Sequence, residues 1–245
     1  MGSNSHAEGA KTNASGTSSH AEGGGTIASG SESHAEGLTT TASGAQSHSE
    51  GSNTTASGSY SHSEGYFTKA LGNFGSHAEG FYTAAVGQYS HAEGQSTTAS
   101  GNTAHSEGYL TTAIGQYSHA GGVSTIASGT TSFIHSNNSR VTGARSAVLG
   151  GQNITGATAD TVYVPNLNIN TAPANDDSLT QVLVRATDGT VKYRTVPDPI
   201  NFGVFAQTGN STTIISNVEA TLIDGGVGTL SVPANGFQVG DSFKE

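Results

Sequence analysis

Histidine and glutamate recur together along this chain at a fixed distance. His6, His20, His34, His48 and His62 follow one another at steps of fourteen residues, and His77, His91, His105 and His119 continue the series after one extra residue. Glu8, Glu22, Glu36, Glu50, Glu64, Glu79, Glu93 and Glu107 each stand two residues after a histidine, Gly121 replaces the next glutamate, and His135 completes the 10 histidines. Imidazole beside carboxylate can form a hydrogen-bonded pair, ligate a metal or serve in catalysis. Catalysis needs one constellation in one pocket, not a motif repeated along a chain, so no enzyme is expected. Carboxylates stacked at strand spacing repel unless neutralised or hydrogen-bonded, and a histidine beside each supplies that. The pairs are therefore read as a structural ladder. Metal ligation is the competing reading, and no metal or cofactor is assigned.

Self-similarity at a fixed period dictates architecture before local propensity does. Each fourteen-residue unit has two halves, S-H-A/S-E-G and T-x-A-x-G, each followed by a two-residue corner. Gly9, Gly23 and Gly37 end the first kind of half and Gly16, Gly30 and Gly44 the second, and the register resumes at Gly80 after the three-residue corner Asn73-Phe74-Gly75. In an extended segment Ser or Thr, then Ala or Ser, then Gly at alternate positions share one face. All are small, so two strands pack closely through that file, and the glycines are expected to supply positive φ at the turns. Glycine every seventh residue, at about 1 kcal/mol each, and the lack of a 3.6-residue apolar stripe exclude helix. The unit is one coil of a narrow parallel β-roll with two short strands per coil, and nine coils about 4.8 Å apart make a rod roughly 43 Å long.

Past the motif, Ile134, Val141 and Val148 replace the inner alanine. The roll is expected to widen there and end, which gives an all-β chain of three parts. Residues 1–150 are the repeat array. Residues 151–199 are a β connector, with short strands at Thr161–Val164 and Leu167–Ile169 and a hairpin from Gln181 to Val196 turning at Asp188-Gly189. Residues 200–245 hold β-type runs and read as the start of a C-terminal β-domain. They are short for an independent sandwich, so the natural chain is expected to continue.

A roll filled with Ser, Ala and Gly buries little apolar area against the entropy of ordering so many glycines, so association of identical rolls about a common axis is expected. The outward slots of the T-half drift through Asn13, Ile27, Thr41, Thr55, Lys69, Ala84, Thr98, Thr112 and Ile126, whereas His and Glu hardly vary. The constrained His/Glu face is assigned to the oligomer axis. At the end of the array its slots become Phe133 and Leu149, read as an apolar plug. Where the corner after the S-half is aromatic or apolar (Tyr66-Phe67, Phe81-Tyr82, Tyr109-Leu110), the slot before the next glycine also turns apolar (Leu71, Val86, Ile114). These positions are expected to meet each other or one shared surface as a belt against a neighbouring subunit. An exposed stripe that stacks on glycans is the rival.

A net charge of −10 with only 8 Lys plus Arg argues against nucleic acid or an anionic membrane as partner. With no Cys there is no disulfide framework or thiolate zinc site. Met1-Gly2-Ser3-Asn4 enters the repeat with neither a basic n-region nor an apolar h-region, so no secretion signal is expected, and no run is long enough to span a bilayer. The recurring threonines fall in the inward file, which leaves no flat outward array for binding ice. If histidine holds the glutamates ionised, the rod should tolerate neutral pH and loosen in strong acid.

The SHAEG/TxASG array over residues 5–150 resembles the left-handed parallel β-roll of trimeric autotransporter adhesin heads and, more closely, the SHAEG-repeat tail-fibre and appendage proteins of bacteriophages. Ser146-Ala147-Val148-Leu149-Gly150-Gly151-Gln152-Asn153-Ile154-Thr155-Gly156, followed by Thr161–Leu167, is similar to the segment joining such rolls to later fibre domains. Phe202-Gly203-Val204-Phe205 through Gly240-Asp241-Ser242-Phe243 is similar to the opening of a fibre's C-terminal β-domain. The resemblance implies a parallel homotrimer on a virion, joined to other fibre or baseplate proteins and supporting attachment to a host-surface glycan or protein. The alternative it carries is a head segment of a secreted bacterial trimeric adhesin, which would need a signal sequence and a membrane barrel.

Overall fold

The computed structural model describes residues 1–167, the strand segments 181–185 and 191–195, and Thr187. Residues 1–167 form a β-solenoid in which every coil contributes one strand to each of two parallel sheets. S-strands such as His6–Ala10, His20–Gly24 and His34–Leu38 build a 12-stranded sheet, and T-strands such as Asn13–Ala14, Ile27–Ala28 and Thr41–Ala42 build an 11-stranded one. Like pairs with like in register: His6 with His20, Glu8 with Glu22, Ala28 with Ala42. Among the described residues there is no helix.

The inward file is as small as the pattern required. Ala21, Ala28, Ala35, Ala42, Thr26 and Thr40 are fully buried, and nothing larger than threonine enters until Ile134, Val141 and Val148. In most coils the serine before the histidine closes the corner behind it, its hydroxyl donating to the carbonyl of the preceding T-half glycine: Ser19 to Gly16 at 2.8 Å, Ser33 to Gly30 at 2.7 Å, Ser61 to Gly58 at 2.6 Å.

The two glycines of a coil have different reasons to be glycine, which corrects the expectation that both share the inner face and supply positive φ. Gly37, in the S-half, is exposed and does have φ +104°. Gly30, in the T-half, is buried without positive φ, and a Cβ there would lie 1.9 Å from the carbonyl oxygen of Gly44 in the next coil. It is glycine because the coils approach so closely.

The residue that turns each corner is the one after next, whatever its side chain. Ser18, Glu32, Thr39, Gln46, Tyr60, Phe67, Tyr82, Thr103, Leu110 and Thr131 all sit in the left-handed region with φ between 54 and 59°. That conformation costs roughly 1–2 kcal/mol for a residue with a Cβ. It is offset because the corner N–H then points to the coil before, as in Glu32 N to Thr17 O at 2.8 Å and Tyr60 N to Ala45 O at 2.9 Å, while strand N–H groups donate to the coil after, as in His20 N to Ser33 O at 2.9 Å. Every coil is thereby stitched in both directions.

The stack runs past Gly150, which falls inside the strand Ala147–Gln152; Thr155–Gly156 and Val162–Tyr163 then continue the two sheets. The roll therefore does not end where its inner residues enlarge, because backbone pairing is indifferent to that change. Ile154 and Tyr163 pack on the last part of the core, and the compact unit extends to Asn170. An extra residue at Gly150-Gly151, with φ of 68 and 75°, shifts the register beyond His135. Of the two expected connector strands, the first is the one that closes the S-sheet, and Leu167 is not in a strand.

In the second unit Gln181–Arg185 pairs antiparallel with Val191–Thr195, from Gln181 with Thr195 to Arg185 with Val191, which is the expected hairpin. The turn at Asp188-Gly189 and the runs of 200–245 lie outside the described residues, as do Asn168 and Ile169.

Candidate functional site: a histidine and glutamate ladder

Strand alternation turns His and Glu of each S-strand outward, to either side of the buried Ala or Ser between them. Parallel in-register stacking then converts the repeat into two columns. From His6 to His105 successive imidazoles lie face to face, with centroids 4.8–5.1 Å apart and planes within 19°. The carboxylates form the parallel column beside them.

The pairs that form are not the His-x-Glu pairs of the sequence. From His48 to His119 each histidine reaches toward the glutamate of the coil before: His48 Nε2 hydrogen-bonds Glu36 Oε1 at 3.2 Å, His62 Glu50 at 3.3 Å, His105 Glu93 at 3.0 Å and His119 Glu107 at 3.2 Å, while His91 and Glu79 at 3.3 Å and His77 and Glu64 at 3.7 Å approach outside hydrogen-bond geometry. Within a coil only His20 and Glu22 approach, at 3.8 Å. At the start of the roll His6 and Glu8 are exposed, and the Nε2 atoms of His20, His34, His77 and His91 are buried without a hydrogen-bond partner.

Burial, and then the neighbouring imidazole of His48, hold His34 below its ordinary pKa. Burial with His77 and His105 does the same to His91, and burial with His105 to His119. For Glu36 burial acts upward, but hydrogen bonding with the Glu22 carboxyl and with His48 outweighs it and the net is downward. Glu64 is lowered first by hydrogen bonds with the carboxyls of Glu79 and Glu50, against burial, and then by His62 and His77. At these positions the surroundings favour neutral imidazoles at His34, His91 and His119 and ionised carboxylates at Glu36 and Glu64.

Five groups in the ladder bring imidazole and carboxylate donors within 4.8 Å of one another, among them His34, Glu36 and His48. A zinc-class ion needs nitrogens at about 2.1 Å, so two of them lie at most about 4.2 Å apart even when opposed. Stacked rings 4.8 Å apart with planes 3° from parallel, as in His34 and His48, direct their lone pairs along parallel lines that do not converge. A rung is built for hydrogen bonding.

Phe133 continues the histidine column, its ring 4.7 Å from His119, and Leu149 follows His135 in the glutamate column. Both are partly exposed in the single chain. Along the corners, Tyr66 stacks on Phe81 at 5.3 Å and Phe67 on Tyr82 at 4.9 Å, with Tyr109 and Leu110 beyond Gln95-Ser96. Leu71, Val86 and Ile114 are exposed at the far ends of T-strands such as Lys69–Ala70, so a strand separates them from the corner rings, and both groups face outward. Sequence reasoning overlooked the aromatics of the opposite corner, Tyr60, Phe74, Tyr89 and Tyr117, all exposed, of which Phe74 and Tyr89 stack at 6.5 Å. Their signal was present as aromatics recurring at one register position after the T-half glycine.

No helix among the described residues is long and apolar enough to cross a membrane. No protein-family model and no curated protein matches this chain.

Proposed function

We propose that this chain is a segment of a homotrimeric fibre on a bacteriophage tail or similar appendage, holding a host-binding tip at a distance from the particle. The roll is a structural repeat element and the assembly around it does no chemistry. The observation that carries the reading is the histidine and glutamate ladder, a half-exposed face of stacked imidazoles and carboxylates running along the S-sheet from His20 to His105. That face stays nearly invariant while the T-face drifts, which is the signature of a surface constrained by copies of itself. The small interior supports the same reading. Fully buried alanines contribute little at about 25 cal/mol per Å², so a further buried surface is needed. In the trimer the ladder lines the axis, Phe133 and Leu149 plug its end, and the corner aromatics with Leu71, Val86 and Ile114 form an apolar belt. Its partners are further fibre or baseplate proteins and a host-surface glycan or protein, and its place is the virion.

Native mass spectrometry of the purified chain should give three copies, and a monomer at micromolar concentration would overturn the assembly. Gold-labelled antibody against the roll should then decorate phage particles. Decoration of bacterial cell surfaces instead would replace the fibre with an adhesin head.

A further inference from the structure

We propose that Glu107, His119 and His135 form a binding site for one divalent transition-metal ion of the zinc class, seated over Gly121. The inference goes beyond the fibre reading and does not depend on it. Its starting point is the one place where the ladder breaks. Every histidine pair up to His105 is stacked, but the His119 ring is turned 78° from His105. In the same coil the glutamate slot is Gly121, and the residue paired with Gly121 in the next coil is His135, a histidine standing in the glutamate column.

The missing side chain is what brings the donors together. A Cβ on Gly121 would lie 2.9 Å from His135 Nδ1 and 3.0 Å from Glu107 Oε1, so two groups from coils on either side close over this residue. Glu107 Oε1 is 3.2 Å from His119 Nε2 and 3.8 Å from His135 Nδ1, and the three atoms all lie within 4.8 Å of one another. An ion at about 2.0–2.1 Å from each ligand requires donor separations of roughly 3–3.4 Å. The Glu107 and His119 pair already meets this. His135, with a side chain 60% exposed, is free to swing in from its 3.8 Å to Glu107, and from the 4.8 Å or less that separates it from His119, to ligand distance.

Two features separate this group from the rungs. Its imidazoles come from different columns and are not stacked on each other, so their lone pairs can converge on a point. Its ligand set, two imidazoles and one carboxylate with open positions for water, suits zinc, cobalt or nickel.

The test uses the full, untagged chain stripped with EDTA. Titration with Zn²⁺ by calorimetry, and with Co²⁺ by visible absorption, should give one ion per chain. His135→Ala and Glu107→Gln should each weaken binding by about an order of magnitude or more, with circular dichroism unchanged because neither side chain packs in the interior of the roll. His34→Ala and His62→Ala, which remove ordinary rungs, should leave the affinity as it is. The proposal fails if Zn²⁺ does not saturate below millimolar concentration, if the stoichiometry follows the number of rungs, or if His135→Ala binds as tightly as the parent chain.

Discussion

The interior of the roll contains a controlled comparison between satisfied and orphaned hydroxyls. Where the S-half reads H-S-E-G, the inner serine meets the threonine five residues on: Ser49 with Thr54, Ser63 with Thr68 and Ser106 with Thr111, each at 2.8 Å. Where it reads S-H-A-E-G, the same threonine faces alanine, and the hydroxyls of Thr26, Thr40, Thr83 and Thr97 are buried with no partner. Valine is nearly the shape of threonine without the hydroxyl. Thr54→Val strands the fully buried Ser49 hydroxyl and should destabilise by about 1–3 kcal/mol, whereas Thr40→Val removes a hydroxyl that already has no partner and should be neutral or stabilising. Adding Ser49→Ala to Thr54→Val removes both partners and should restore most of the loss. Ala35→Ser supplies Thr40 with a partner and should add about 0.5–1.5 kcal/mol. At about 2–4 °C per kcal/mol for a chain of this size, thermal melts resolve these differences. If Thr54→Val melts no lower than Thr40→Val, the hydroxyl pairing contributes nothing and the reasoning is wrong.

Three further outcomes follow from the coil geometry. Gly44→Ala would place a Cβ 2.0 Å from the Gly58 carbonyl oxygen, a backbone atom that cannot move away, and should destabilise by more than about 4 kcal/mol, read as loss of soluble, folded protein on expression. Thr131, with φ 57°, is a β-branched residue in a left-handed corner; Thr131→Gly or Thr131→Asn should raise the melting temperature by a few degrees, at roughly 0.5–1 kcal/mol net once the larger unfolded-state entropy of glycine is set against the relieved strain. For pH, the folded-state values of His34, His91 and His119 lie below the unfolded value near 6.5, so their contribution is complete above that value and is lost as pH falls through the folded ones. Glu36 and Glu64 are likewise depressed from 4.5 and add a second loss at lower pH. Melting temperature should therefore hold from pH 8 to 7, begin to fall near pH 6.5 and fall again below 4.5. The onset comes well before the strong acid that the glutamates alone would suggest, and a flat profile down to pH 5 would refute the histidine contribution.

Much of the coil was legible because its contacts repeat. A residue fourteen positions away is a stacked neighbour, so Ala21, Ala28 and Ala35 announce a narrow interior and His20 with His34 announces a column. The ladder's pairing was not legible in the same way. His48 and Glu50 adjoin in sequence, yet His48 bonds Glu36, because alternation holds residues two apart in line along one strand while the stagger of the coil before brings its carboxylate to the ring. Aromatic corners were visible after the S-half and overlooked after the T-half, where Tyr60, Tyr89 and Tyr117 hold the same register as Ser18 and Glu32.

From its sequence alone this protein was determined to be a parallel roll of fourteen-residue coils with a small-residue core and an outward file of histidine and glutamate. A strict period with alternating small residues leaves no other way to bury one face and pair every strand. Tertiary structure decided which glycine turns the chain and which is needed because the coils approach closely, which non-glycine residues carry the left-handed corners, how far past Gly150 the stack continues, and which carboxylate each imidazole meets. Those depend on the offset between successive coils, a quantity set by hydrogen bonds running both to the coil before and to the coil after, and no single repeat contains it.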